Sequence, residues 1–216
     1  STGSGIKVAI IDEGVDLTHP DLINNLLPGF DATGNNSNGA PNANNNDAHG
    51  TACAGIVAAV ANNNIGISGI AYNSKIIPVR IGYSNGLPLT DQNRTWVTNN
   101  NWIANGITWA VQNGADILSN SWGGGSPSTA ITNAINYAVD SGRSGKGCTV
   151  LFSTGNFNTN VAYPATLPNV IAVGASSPCD QRKTPTSCDG ETWWGSNFGS
   201  ALDVVAPGVK IYATDI

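Results

Sequence analysis

Charge is what this sequence has least of. Asp, Glu, Lys and Arg together make up 11% of its 216 residues, less than half the usual share of about 25%. Asn, Ser, Thr and Gly must therefore build much of the surface. The net charge is −5 and the isoelectric point about 4.7. A chain of that sign carries no basic footprint for nucleic acid or for an anionic membrane surface. No apolar run approaches the roughly 18 residues that a membrane-spanning helix needs, so neither nucleic acid nor membrane is an expected partner. No secretory leader is present; the chain opens on "STGSG", as it does when a leader is removed or left out. No glycine-rich phosphate loop follows the first apolar run. The stretch there is "DEGVD", whose carboxylates repel phosphate, and this excludes a nucleotide-binding domain. Histidine is scarce as well: there are only His19 and His49.

What is present has a regular order. Short, nearly continuous, β-branched runs recur at 7–12, 75–81, 115–122, 148–155, 169–176 and 201–208. They suit parallel strands covered on both faces. Helical patterns lie between several of them. One is "HGTACAGIVAAVA". A second puts Trp102, Ile103, Gly106, Ile107, Ala110 and Val111 on one face, and a third does so with Ile131, Ala134, Ile135 and Ala138, with Gly142 as its stop. Strand–helix–strand alternation predicts an α/β fold: a doubly wound, mostly parallel sheet with helices on both faces. No internal repeat and no second domain is visible in 1–216. The stretches 31–48 and 84–100 read as loops from their Asn, Gly and Pro content.

In open α/β sheets, chemistry collects at the carboxyl ends of strands. That singles out Asp12, residues 82–86, 121–125 and 154–158. A strand-end aspartate alone is as readily a turn or cap residue. His49 opens the small-residue helix "HGTACAG", a mount suited to a general base, and an aspartate on its Nδ1 fixes the tautomer. His19 precedes Pro20 and reads as structural. Asn156 follows Gly155 at a strand end, where a side-chain amide can donate to a developing oxyanion; alone it would pass for a turn residue. The glycines of "SNSWGGG" leave a strand edge bare for an extended peptide. Four cysteines allow three full pairings. Cys179 and Cys188 bracket a polar loop and read as a local disulfide, which points to an oxidising compartment. Cys53 and Cys148, in apolar surroundings, read as free thiols.

In this order, "VAIIDEGVDLTHPDL", "HGTACAGIVAA", "ILSNSWGG", "STGN", "YPATLPNVIAVGA" and "LDVVAPG" resemble the subtilisin-like serine peptidases, the subtilases, from Gly5 to Thr214. The resemblance implies a secreted endopeptidase using a Ser-His-Asp triad on peptide or protein substrates. It gives Asp12 the orienting carboxylate, His49 the general base and Asn156 the oxyanion amide. It gives Ser121, Trp122, Gly123 and Gly124 one substrate-binding edge, and Gly82, Ser84 and Gly86 the opposite one, so that the substrate lies as a middle strand. Phe157, Asn158 and Ala162 fall at the floor of the primary pocket, and Trp122 on its wall with Phe157 nearby implies a preference for large apolar side chains. Pro164 matches a cis-proline. A calcium ion, Ca2+, is also implied, with Asp21 and the side-chain oxygen of Asn63 as ligands beside the carbonyls of Ala61, Ile65 and Ile67.

The chain departs from the pattern in three places. The family's nucleophile lies in "GTS" after the "APG" segment, and "GTS" does not occur in these 216 residues. The resemblance then implies part of a catalytic domain, inactive by itself, with the serine supplied by a further C-terminal segment or a second chain. A degenerate domain that binds peptides or a partner without catalysis is the alternative, disfavoured because Asp12, His49 and Asn156 stand together. Glu13 replaces the usual Thr or Ser. Turned inward it would strengthen the basicity of His49; turned to solvent it would do little. Cys53 matches a position where some relatives carry a free thiol near the histidine, which implies sensitivity to mercurials. Ala52, where a second histidine is common, reads as neutral. "NNS" (35–37) and "NRT" (93–95) are glycosylation sequons in a host that uses them.

Overall fold

A computed structural model describes residues 2–34, 37–87, 93 and 95–216. Both sequons include residues outside that set. The chain forms two compact units. The first comprises Ser1–Ser119, Thr129–Cys148 and Tyr212–Ile216, the second Asn120–Ser128 and Thr149–Ile211.

The first unit is built on β1 (Lys7–Asp12), flanked in parallel by β3 (Lys75–Arg80) and β6 (Ile117–Asn120), with the two-residue β2 (Phe30–Asp31) beyond β3. The register sets Lys7 opposite Lys75 and Asp12 opposite Arg80. From Val8 to Ile11 the strand is buried on both faces, which is why its sequence is continuous rather than alternating. On one face Val8 and Ile10 pack with Ala54 and Ala58 of α1 (His49–Ala58), together with Val15, Leu22 and Ile76. α2 (Asn100–Gln112) lies close on β3: a Cβ at Gly106 would come within 2.4 Å of Ile81 Cγ2. The apolar face expected of α2 is buried at Ile103, Gly106, Ile107, Ala110 and Val111, while Trp102 is half-buried against Tyr83. Asn99 caps α2 by accepting the N–H groups of Asn101 and Trp102. In α3 (Thr129–Gly145), Ile131, Ala134, Ile135 and Ala138 are buried, and helical geometry stops at Gly142 as expected.

Two sequence expectations need correction. The stretch 84–100 is not all loop. Trp96–Thr98 forms β5, antiparallel to β4 (Gly82–Ser84), since an aromatic residue beside two β-branched ones favours extended chain even between Asn-rich flanks. Residues 88–92 and 94 lie outside the described set. The first helix ends at Ala58, not Ala61, because Ala59 turns extended.

The second unit carries the parallel strands β7 (Thr149–Ser153), β8 (Ile171–Ser176) and β9 (Val204–Pro207) in that order. Cys179 and Cys188 are disulfide-bonded, while Cys53 and Cys148 take part in no disulfide. Next to the disulfide, the fully buried Lys183 pairs with Asp189 at 2.8 Å and lies over the Trp194 ring. Tyr163–Pro164 is cis, as the pattern implied.

Candidate active site

β1 ends by delivering Asp12 to the mouth of a tight turn. Gly14 has φ +109°, and a Cβ there would meet the backbone of Pro41 at 2.6 Å. α1 starts directly against this turn. At Gly50 an added Cβ would lie 2.1 Å from Gly14 O, so only glycine lets the helix start this close. Thr51 accepts the Asp16 N–H at 3.0 Å, and its carbonyl accepts the Thr214 hydroxyl at 2.6 Å.

This contact brings His49 to Asp12. The imidazole Nδ1 stands 3.0 Å from both carboxylate oxygens. Asp12 is 4% exposed, whereas the His49 side chain is 56% exposed. In the neutral imidazole, a proton on Nδ1 facing the carboxylate leaves Nε2 unprotonated. The Asp12 charge, then its hydrogen bond, push the imidazole from 6.5 up to about 9 against the effect of burial, with Glu13 adding to the rise. The Cys53 thiol joins this group: one oxygen of Asp12, one ring nitrogen of His49 and the thiol sulfur lie within 4.8 Å of one another.

Glu13 turns inward. It is 6% exposed, and its Oε1 accepts the backbone N–H of His49 at 2.9 Å. Burial pushes its carboxyl from 4.5 up to about 7; the His49 N–H opposes this, and Asp12 and Asp47 reinforce it. Asp47 has a second task, unforeseen from the sequence: it accepts the Ser84 N–H at 2.8 Å. Arg80 stands 3.8 Å from Asp47 and 3.5 Å from Asp31, and it donates to Gly82 O. Thus Gly82 and Ser84 are held by buried charges at the end of β3. Gly86, at φ +79°, follows, its N–H directed to the Ser84 hydroxyl at 3.4 Å. The only hint in the sequence was an aspartate two residues before the histidine.

In the second unit the remaining expected residues gather around the end of β7. The 154–159 loop is braced by Asn197, 1% exposed, which the sequence reading missed because "SNFG" looks like any turn. Its Oδ1 accepts the N–H groups of Phe157 and Thr159, and its Nδ2 donates to Thr154 O. Gly155, at φ +105°, leaves room for that amide, since a Cβ would lie 2.5 Å from it. The brace leaves Asn156 exposed at the loop tip and Phe157 84% exposed. Ala162 donates its N–H to Thr154 O at 3.1 Å. Gly124 N–H donates to Tyr163 O at 2.7 Å, Gly123 lies beside the same carbonyl, and Trp122 meets Phe152 edge-on at 5.0 Å. Ser121 begins this segment, half-buried.

The expected calcium loop is also drawn together. Asp21 is fully buried, and among the described residues its carboxylate forms no ion pair. A buried charge without a counter-ion is what a bound cation would answer, so the residues fit the ion in kind. Two N–H donors meet that charge here: Asn63 Nδ2 at 2.7 Å and Ile67 N at 2.9 Å. Asn63 therefore offers Asp21 its NH2, while its oxygen accepts the Ile65 N–H at 3.1 Å. A half-turn of the amide exchanges the two atoms. Ala61 and Ile65 lie in the same loop, and His19 Nδ1 accepts the Asp21 N–H, the structural part expected of it.

Comparison with known proteins gives one consistent result. Residues 3–215 match the family described as the subtilase family, Peptidase_S8. The chain is 38% identical over 213 residues to thermitase of Thermoactinomyces vulgaris, covering 98% of this chain and 66% of thermitase. It is 37% identical over 240 residues to an extracellular protease of Xanthomonas campestris, covering 99% of this chain and 39% of that one. Among solved structures, a protease of Pseudoalteromonas arctica superposes with a TM-score of 0.73 at 33% identity, covering 96% of this chain and 64% of that one.

Proposed function

Because the chain belongs to the subtilase family of serine peptidases, we propose that it supplies the Asp-His part of a Ser-His-Asp endopeptidase whose serine lies outside these 216 residues. One observation carries this reading: an exposed imidazole at a helix start, with Nδ1 at 3.0 Å from both oxygens of a buried carboxylate. Two facts support the serine's place. "GTS" is absent, and the chain spans 66% of thermitase. Residues 1–216 are then part of one catalytic domain.

In the proposed reaction the serine Oγ attacks the peptide carbonyl while His49 Nε2 takes its proton. His49 then returns that proton to the leaving amine, which frees the amine and leaves an acyl-enzyme for water to hydrolyse. Asp12 keeps the tautomer and balances the imidazolium. Asn156 donates its amide to the oxyanion. Gly82, Ser84 and Gly86 bind substrate backbone, as do Ser121, Gly123 and Gly124. Trp122, Phe157 and Ala162 line an apolar primary pocket. The disulfide and the extracellular Xanthomonas relative support secretion, and among the described residues no helix is long and apolar enough to cross a membrane.

A fluorophosphonate probe tests the reading on the full-length protein. The probe is expected to label one serine outside 1–216, and His49→Ala is expected to abolish the label. An unlabelled parent protein that still binds peptide would instead identify a non-catalytic peptide-binding domain.

We also propose that Asp21 and Asn63 hold calcium with the carbonyls of Ala61, Ile65 and Ile67; the ion would brace this loop and take no part in the chemistry. At a calcium concentration ~100-fold above its dissociation constant, the stabilisation is about 3 kcal/mol. Differential scanning calorimetry should show a higher Tm in calcium than in chelator, and Asp21→Asn should erase the gap. Equal Tm values for the parent protein in the two buffers would sink the site.

A further inference from the structure

Helix α1 begins without a cap of its own. Ala48 occupies the N-cap position and offers no side-chain acceptor, so the first N–H groups need partners from elsewhere. Glu13 provides one from the end of β1, with Oε1 2.9 Å from His49 N. A carboxylate at that end of a helix is favoured also by the helix dipole. The backbone of the same residue serves the other partner: Glu13 N–H donates to Asp12 Oδ1 at 2.8 Å. Glu13 is thus bonded to both members of the pair.

The surroundings leave Glu13 little freedom. Gly50 is pressed against Gly14 O, and the carboxylate is buried. The titratable groups facing it are Asp12 at the end of β1, Asp47 before α1 and His49 on α1. Arg80 is engaged by Asp31 and Asp47. Among the described residues Glu13 forms no ion pair.

We propose that Glu13 is a positioning residue for the Asp12–His49 pair: its carboxylate fastens the His49 backbone to the end of β1 and so holds the imidazole against Asp12. This rests on the peptidase reading of that pair. A second consequence follows from its charge. Ionised Glu13 favours the imidazolium, so it makes His49 hold its proton to higher pH.

The test uses the full-length protein with Glu13→Ala and Glu13→Gln. kcat and KM are measured separately from about pH 5 to 10, and the His49 ring is titrated by NMR. Glu13→Ala should lower kcat about tenfold or more, since a misplaced base is costly, with KM changed by less than about twofold. Glu13→Gln keeps an oxygen for the His49 N–H and loses the charge. It should recover most of that kcat and move the acid limb, and the ring titration, to lower pH. Parental kcat and acid limb in Glu13→Ala would overturn the proposal; so would a Glu13→Gln variant as impaired in kcat as Glu13→Ala. A parent without peptidase activity defeats the peptidase reading, and NMR still decides here. A changed His49 amide shift and ring titration in Glu13→Ala support positioning, and unchanged ones overturn it.

Discussion

Asp12→Asn is expected to lower kcat by about 10⁴-fold, and the hydrogen bonds around the carboxylate show why. Asp12 Oδ1 accepts the Glu13 N–H at 2.8 Å, and that backbone donor has a fixed direction. An asparagine must keep its carbonyl oxygen on Glu13 and so turns its NH2 towards His49 Nδ1. A donor there requires Nδ1 to be the acceptor, which puts the ring proton on Nε2. The nitrogen that takes the serine proton in the proposed reaction is then already protonated. The substitution also removes the negative charge that lifts the imidazole above 6.5. The residual activity of Asp12→Asn should therefore have its acid limb at lower pH than the parent. In the parent that limb should lie between 6.5 and about 9, because water reaches the half-exposed imidazole and screens the pair. Stopped-flow or steady-state peptide hydrolysis across pH measures both effects. A variant within tenfold of the parent at every pH would show that Asp12 does not set the tautomer.

The parts of this site that were legible in the sequence are those fixed by short-range chemistry. A strand that ends on Asp12, and a histidine before a run of small residues, have few other uses in combination. The helical faces of α2 and α3 could be read for a similar reason: their periodicity records burial at Ile107, Ala110, Ile135 and Ala138. Three things depended on distant partners and could not be read. The direction of Glu13 is set by the approach of α1 to the strand end, 36 residues away in sequence. Asn197 braces the Asn156 loop from 40 residues away. β5, though its residues favour extended chain, also needs β4 to pair with it across the residues between them. The loop proposed to hold calcium is intermediate: Asn63 and Ile67 do meet Asp21, and the orientation of the Asn63 amide is the part that a pattern does not encode.

The second large effect concerns stability. Glu13→Gln should be more stable than the parent at alkaline pH by up to about 3 kcal/mol, and the gap should close on acidification. Burial raises the Glu13 carboxyl from 4.5 to about 7. A carboxyl raised on folding stabilises the protein fully below its unfolded value, where both states are protonated and nothing is lost. Between 4.5 and about 7 the unfolded chain sheds the proton while the folded one keeps it, so stability falls as pH rises. Above that window the buried carboxylate is ionised and its cost is constant. Glutamine has no such transition. His49 acts in the same direction in both proteins: in the parent, raised from 6.5 to about 9, it stabilises fully below 6.5 and loses that contribution as pH climbs to about 9. The parent should thus lose stability in two successive windows, and Glu13→Gln only in the upper one. That upper loss should also be smaller in the variant, because Glu13 is one of the charges that raises His49. Tm values near pH 4.5, 7 and 9.5 measure both windows. A Tm difference that stays constant across them would mean that folding leaves the Glu13 carboxyl near 4.5, its bond to the His49 N–H offsetting the cost of its burial.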